Sequence, residues 1–333
     1  MGTVGGPGGA DPPAGGVSRS RCVTRARRSF YDNRMETPLG RLGVWCILDA
    51  LPPSDTLAAV QRMEQLGYSA LWLPEAVGRD PFALLSYLGA RTERIVYATG
   101  IANVYARDPM TMTAIRHTLG DLLPGRFVLG MGVSHKHLVS KLRGHEYEKP
   151  VAFMRKYLEA MDSALFLAHK PEQETPIVLA ALRPAMMRLV ADAVKAEGPV
   201  RGAHPYLVVP AHTRRAREQL GPDAWLCPEQ MVLRETDATK ARELARKILS
   251  IYIRLPNYQR NLRDDGFGDA DFEDGGSDRL VDALVAWGDA DAIARRLEEH
   301  YDAGADHVCI QPFHPEGAPG PDMTLLEQLA PSK

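Results

Sequence analysis

The chain has 333 residues, 45% of them hydrophobic and 25% charged, with a formal net charge of −2. That is a soluble globular composition, long enough for one large domain, and it gives no electrostatic case for nucleic acid or an anionic membrane as partner. No apolar run approaches the roughly 18 residues of a bilayer span, and the cysteines, Cys22, Cys46, Cys227 and Cys309, stand far apart without a C-x-x-C pair, which fits a reducing cytoplasm.

Residues 1–36 are rich in glycine and proline, then in arginine, and lack the apolar stretch of a secretory signal. They read as a disordered tail, with Met35 a candidate biological start. Arg27-Arg28 is followed by Tyr31-Asp32-Asn33-Arg34, too polar for twin-arginine export. A single domain is expected over 37–333. It opens with an apolar run, 42–48, and a helix with Leu57, Val60, Met63 and Leu66 on one face, stopped by Gly67. Strand 70–73 leads through Pro74-Glu75 to a helix from Pro81 to Arg91. Strand 95–99 precedes a helix over 109–119, and strand 126–131 precedes a longer stretch with helical spacing across 146–167.

Strand 177–181 and helix 184–195 follow, then strand 200–203 and helix 213–220. A seventh strand, 224–233, is interrupted by Pro228, and a helix runs from Ala238 to Arg254. The acidic, glycine-rich segment 257–278 reads as a surface excursion or a lid over the substrate. The last unit is a helix over 291–301, a strand at 307–311 and a closing helix at 323–329. The strands carry almost no polar alternation, as parallel strands buried on both faces do. About eight strand–helix alternations make a TIM-type (β/α)₈ barrel with insertions the economical α/β fold, with a doubly wound sheet as the alternative.

In such a barrel the chemistry sits in the loops after the strands. The candidates in order are Asp49, then Glu75 and Arg79, then Gly100 to Asn103 with Arg107, then Ser134 and His135, then Arg183, then His204 to Tyr206. Proton transfer near neutral pH favours His135 or Glu75, with a turn or surface role as the plain alternative for each. His135, His137 and His145 lie close together, but no cysteine or carboxylate completes a metal set, so none is assigned. Gly130-x-Gly132 lacks the third glycine of a dinucleotide fingerprint, and Ser134 is not in a Gly-x-Ser-x-Gly elbow. Arg183-Pro184 and Gly202-Ala203-His204 each set small residues and a cation before a helix, where a phosphate would be favoured.

Taken together, Leu71-Trp72-Leu73-Pro74-Glu75, Ala98 to Asn103 with Arg107-Asp108-Pro109, Leu123 to Ser134, Pro176 to Pro184 and Gly202 to Tyr206 resemble the luciferase-like family of flavin and deazaflavin oxidoreductases, in particular its coenzyme F420-dependent branch. The resemblance runs from about residue 40 to the C-terminus. It implies a (β/α)₈ barrel with a tricyclic cofactor in its mouth, a nonprolyl cis peptide at Gly100-Ile101, acid–base groups at Glu75 and His135, and cofactor contacts from Gly100, Ile101, Asn103 and Ser134. Arg183, Gly202, Ala203 and His204 would hold the cofactor phosphate, and Asp49, Arg79 and Arg107 would face a small-molecule substrate. Pro74-Glu75-Ala76 lacks the acid–histidine pair of many relatives, and Ala196 to Arg201 departs from the expected turn before strand six.

The implied activity is transfer of a hydride between C5 of F420 and a small organic substrate, in a homodimer supplied by a flavin or F420 reductase. An FMN-dependent monooxygenase of the same fold and a barrel that only binds its cofactor are the other readings.

Overall fold

The computed structural model describes residues 37–331 and, apart from them, Gly2. By internal contacts the chain divides between Arg34 and Met35, and the second unit is the one described below. The readings made for residues 1–36 lie outside the described residues.

In chain order the elements are β1 (Leu42–Trp45), α1 (Pro53–Gln65), β2 (Ala70–Leu73), α2 (Pro81–Gly89), β3 (Val96–Thr99), β4 (Ala102–Asn103), α3 (Pro109–Leu122), β5 (Phe127–Gly132), α4 (Pro150–Asp162), β6 (Ile177–Leu179) and α5 (Pro184–Lys195). Next come β7 (Val200–Ala203), α6 (Pro210–Leu220), β8 (Trp225–Leu226), β9 (Glu229–Leu233), α7 (Ala238–Leu249), α8 (Pro256–Asp264), α9 (Asp278–Leu284), β10 (Val285–Trp287), α10 (Ala290–Asp302), β11 (Val308–Phe313) and α11 (Met323–Gln328). Proline opens α2, α3, α5, α6 and α8, where its fixed φ suits the first turn and its missing N–H is no loss. Asp80 and Asp108 cap α2 and α3 by accepting from the Ala83 and Thr111 amides. These starts fix where each strand-to-helix loop must end, and so where its side chains stand.

Every strand pairing is parallel, in the order β10-β9-β11-β1-β2-β3-β5-β6-β7-β8, with β4 on β5. The sequential order excludes a doubly wound sheet, whose order reverses at a switch point. β8 and β9 are two pieces of one barrel strand broken at Pro228: β8 pairs β7, and β9 pairs β11. Hydrogen bonds from Cys227 N to the Ala203 carbonyl (2.9 Å) and from Cys309 N to the Pro228 carbonyl (3.1 Å) bridge the break. The sheet therefore curls back on itself as the parallel barrel expected from the sequence. Trp45, Trp72, Val128, Val178 and Trp225 fill its interior, while the outer faces of the strands pack under the helices.

The sequence reading differs from the structure in two places. Strand three continues past a cis Gly100-Ile101 peptide as β4, and the excursion is larger than 257–278. Residues 234–289 form an insertion that packs on β9 in a second apolar core, in which Ala241, Ala245 and Leu249 of α7 meet Tyr258 and Leu262 of α8, Leu280, Val281 and Leu284 of α9, and Met231 and Leu233 of β9. Four acidic residues of this stretch are ion-paired: Asp264 with Arg183, Asp265 with Arg215, Asp269 with Arg263 and Asp271 with Arg279. α8 has few apolar anchors, and its charges resemble a solvated loop until their arginine partners, distant in sequence, are known. Among the described residues no helix is long and apolar enough to cross a membrane.

Candidate active site

The open end of the barrel, at the carboxyl ends of the strands, is shaped by the turn between β3 and β4. Trp45 Nε1 donates to the Gly100 carbonyl at 2.9 Å, and Glu75 N donates to the Ile101 carbonyl at 3.3 Å. Ile101 packs against Gly132: a Cβ there would stand 2.8 Å from Ile101 Cδ1 and from Ala180 Cβ. A Cβ on Gly130 would come within 1.8 Å of the Thr99 carbonyl oxygen. The Gly130-x-Gly132 pattern thus has a local cause: it admits the β3–β4 turn against β5. Gly100 is buried and Ile101 is partly exposed at the mouth.

Glu75, at the end of β2, is held on all sides. Arg107 Nη1 lies 2.7 Å from Oε2 and 2.9 Å from Oε1, Arg143 approaches Oε1 at 3.7 Å, and the Asn103 amide donates to Oε2 at 2.8 Å. For Arg107, burial opposes the charge, but the bonds to Glu75 and then to Asp80 outweigh it and raise its pKa. Asn103 is buried, its Oδ1 accepts from the Tyr105 amide at 3.0 Å, and its Nδ2 has no partner. Arg79 donates to the carbonyls of Leu48 (3.3 Å) and Leu51 (2.6 Å) and to Thr56 Oγ1 (3.3 Å), while Asp49 accepts from the Arg79 amide at 3.1 Å. The residues expected to face substrate, Asp49, Arg79 and Arg107, are therefore engaged with the protein and tie the first three loops together.

The far side of the mouth is less polar. β5 ends in Val133, Ser134 and His135; Ser134 adopts φ +54, a costly region for a residue other than glycine, and its carbonyl accepts from Tyr147 Oη at 3.2 Å. Helix α8 comes down on His135: Tyr258 Oη is 3.5 Å from Nε2 and the two rings are 5.3 Å apart. Burial lowers the His135 pKa, a hydrogen bond with Asn257 partly opposing it, so the ring is neutral at pH 7. Tyr206 continues this wall. It donates to Gln311 Oε1 (2.9 Å) or Tyr252 Oη (3.0 Å), and its ring lies 5.1 Å from that of Trp45.

Arg183 caps the start of α5, where helix dipole and guanidinium reinforce each other toward an anion. Its Nη1 lies 3.3 Å from Asp264 Oδ2 but makes no hydrogen bond. The other phosphate candidates do not join it. Gly202 is buried, since a Cβ there would sit 2.0 Å from the Trp225 carbonyl oxygen, and Ala203 is fully buried. His204 stacks on Trp72 at 4.4 Å with Nδ1 on the Cys227 carbonyl at 2.8 Å, and burial drops its pKa to about 4. It thus lacks both the access and the charge that a phosphate would require, and β7 turns these residues into the barrel instead.

Two features escaped the sequence. Tyr252 and Tyr258 sit in an insertion that read as helix end and loop, with nothing local to bring them to the barrel mouth. Glu229, inside the apolar run around Pro228, is 1% exposed; its Oε2 accepts from the Leu207 amide at 3.2 Å and Oε1 has no partner. Burial pushes its pKa up to about 8, so it stands protonated at neutral pH. A glutamate in a strand otherwise free of charge was the available signal. A separate cleft of about 660 Å³ lies beside β9 and β10, lined by charges of both signs that include Arg234, Lys240, Asp289 and Glu316, and it contains none of these groups.

A family model described as luciferase-like monooxygenase matches residues 39–307. A putative coenzyme F420-dependent oxidoreductase of Mycobacterium tuberculosis is 32% identical over 119 residues, 36% of this chain and 33% of that one. An F420-dependent glucose-6-phosphate dehydrogenase of Microbacterium testaceum is 28% identical over 187 residues, 46% of this chain and 54% of that one. The matched stretches thus span between a third and about half of those relatives. Among solved structures, an F420-dependent secondary alcohol dehydrogenase in complex with an F420-acetone adduct superposes with a TM-score of 0.66 at 14% identity, covering 89% of this chain and 97% of that one. The oxygenating constituent of a diketocamphane monooxygenase of Pseudomonas putida, in complex with FMN, gives 0.60 at 13% identity over 82% and 91%. At such identities these two likenesses concern the fold.

Proposed function

We propose, from the premise that this chain belongs to the luciferase-like monooxygenase family, that it is an F420-dependent oxidoreductase moving a hydride between the deazaflavin C5 and a small organic substrate. The observation that carries the choice of cofactor is the 32% identity to a relative named for F420, supported by the second relative. The residues present fit such a group. Ile101 offers an apolar surface at the mouth, and Arg183 offers a guanidinium whose Nη1 has no hydrogen bond, at a helix start suited to phosphate. Bound there, the deazaflavin would supply or accept the hydride.

The chain's own part is orientation and proton handling. Glu75, fixed by Arg107, Arg143 and the Asn103 amide, holds the β3–β4 turn in place. His135, neutral and partly exposed, is the group that takes the proton from a substrate hydroxyl at Nε2, or returns it to the nascent alkoxide in the reverse direction. Tyr258 fixes its ring, and α8 limits water at that edge. A homodimer, a cytoplasmic setting and a reductase that recycles the cofactor belong to the same reading.

Titrating the protein with F420 and, separately, with FMN tests the cofactor, and preferential binding of reduced FMN would move the assignment to the monooxygenase reading. His135→Gln tests the proton role. We expect kcat to fall by about 10²–10⁴ while F420 affinity stays within twofold. An unchanged kcat would remove His135 from the chemistry.

A further inference from the structure

Large apolar side chains that stay in water are informative when they gather at one place rather than being scattered. Eight are well exposed among the described residues. Four of them collect around the barrel mouth: Ile47 (47% exposed) two residues beyond β1, Val77 (79%) in the loop after β2, Leu142 (60%) in the π-helical turn after β5, and Ile251 (71%) at the approach to α8. Arg143 Nη2 donates to the Ala76 carbonyl at 3.2 Å, which sets the Leu142 turn beside the Val77 loop. Ile251 adjoins Tyr252, whose ring is 5.5 Å from that of Tyr206. Three arginines of the same loops are committed elsewhere, Arg79 to backbone carbonyls, Arg107 to Glu75 and Asp80, and Arg143 to Glu75 and Ala76, while Lys136, Lys141 and Arg254 stand exposed.

A substrate arriving here meets an apolar rim, a tyrosine wall and arginines already engaged by carbonyl and carboxylate oxygens of the protein. We infer that the substrate of this site is a predominantly apolar organic molecule, bound by burial of its hydrocarbon against Ile47, Val77, Leu142 and Ile251. The inference rests on the mouth being the active site of the proposed oxidoreductase. The neutral His135 suits the same class, since a hydroxyl or carbonyl on an apolar body needs one proton relay and no counter-charge.

The test is equilibrium binding, followed by heat, of straight-chain 2-alkanones from 2-butanone to 2-nonanone and of glucose 6-phosphate, to the full chain alone and with F420. Affinity should rise about fourfold for each methylene that becomes buried, and glucose 6-phosphate should bind more weakly than 2-octanone. Val77→Asp and Ile47→Asp should each weaken 2-octanone at least tenfold and leave F420 affinity within twofold. A series flat with length, or tighter binding of glucose 6-phosphate, overturns the inference. So do the two substitutions if they convert a dimer to a monomer in sedimentation without changing 2-octanone affinity, because the rim would then be an interface between copies. F420 binding without alkanone binding sinks the substrate class and leaves the cofactor assignment standing. Length-dependent alkanone binding without F420 binding does the reverse.

Discussion

Two carboxylate–guanidinium pairs flank the open end of the barrel, Glu75 with Arg107 on the β2–β3 side and Asp264 with Arg183 on the β6–β7 side. The first pair is 8% and 11% exposed, with oxygen and nitrogen 2.7 Å apart and Arg143, Asp80 and the Asn103 amide added to it. In the second, Arg183 and Asp264 are 41% and 47% exposed, 3.3 Å apart, and not aligned as a hydrogen bond. A desolvated pair inside a network cannot give up one partner without stranding the other charge, whereas a hydrated pair contributes little and exchanges partners readily. The same chemistry therefore serves as scaffold on one side of the mouth and leaves a guanidinium with an unused, buried Nη1 donor on the other.

Breaking the scaffold pair should have the larger effect. Glu75→Gln keeps an acceptor for the Asn103 amide but leaves Arg107 buried against a neutral group, so urea unfolding should show a loss of about 3–5 kcal/mol. A loss under about 1 kcal/mol would place Glu75 with ordinary surface pairs.

Acid sharpens the contrast by acting on buried groups outside both pairs. His204 and His307 are held by burial to about 4, and His300 to about 3. Each binds its proton later in the folded chain than in the unfolded one, so their contribution is complete above about pH 6.5 and is lost as pH falls toward 4. Glu229 works in the opposite sense. Protonated up to about 8, it lowers stability as pH rises from about 4.5 to 8. The histidines together outweigh the single glutamate, so stability should rise with pH between about 4.5 and 6.5 and then decline toward pH 8. Stability should peak near pH 6.5, and Glu229→Gln should remove the decline above it. A profile flat from pH 5 to 8 would mean that these groups are hydrated.

The barrel was legible because its evidence is local: short apolar strands, Pro and Asp at helix starts, and glycines where β5 receives the β3–β4 turn. Glu75, His135 and Arg183 were found at their strand ends for the same reason. What the chain order hid was partnership. Nothing near Arg107 or Arg79 in sequence says that both are used up by neighbouring loops, and nothing near His204 says that Trp72 takes it into the barrel. The insertion was read too short because α8 holds its place through Tyr258, Leu262 and ion pairs to residues as distant as Arg183 and Arg215. Packed in this way, α8 lies over His135 through Tyr258.

The smallest effect expected is at the exchangeable pair. In the proposed enzyme, the cofactor phosphate and Asp264 compete for the same guanidinium. Asp264→Asn removes the competitor and one negative charge beside the phosphate seat, while Asp265, Tyr258 and Leu262 still hold α8 in place. A surface pair contributes about 0.2–1 kcal/mol, so F420 should bind up to about fivefold more tightly to the variant at low salt. Because the two side chains are 41% and 47% exposed, the advantage should shrink as ionic strength rises toward 1 M, where the Debye length is about 3 Å. Weaker F420 binding to Asp264→Asn would mean instead that the carboxylate orients Arg183 for the phosphate, which would make the second pair part of the scaffold as well.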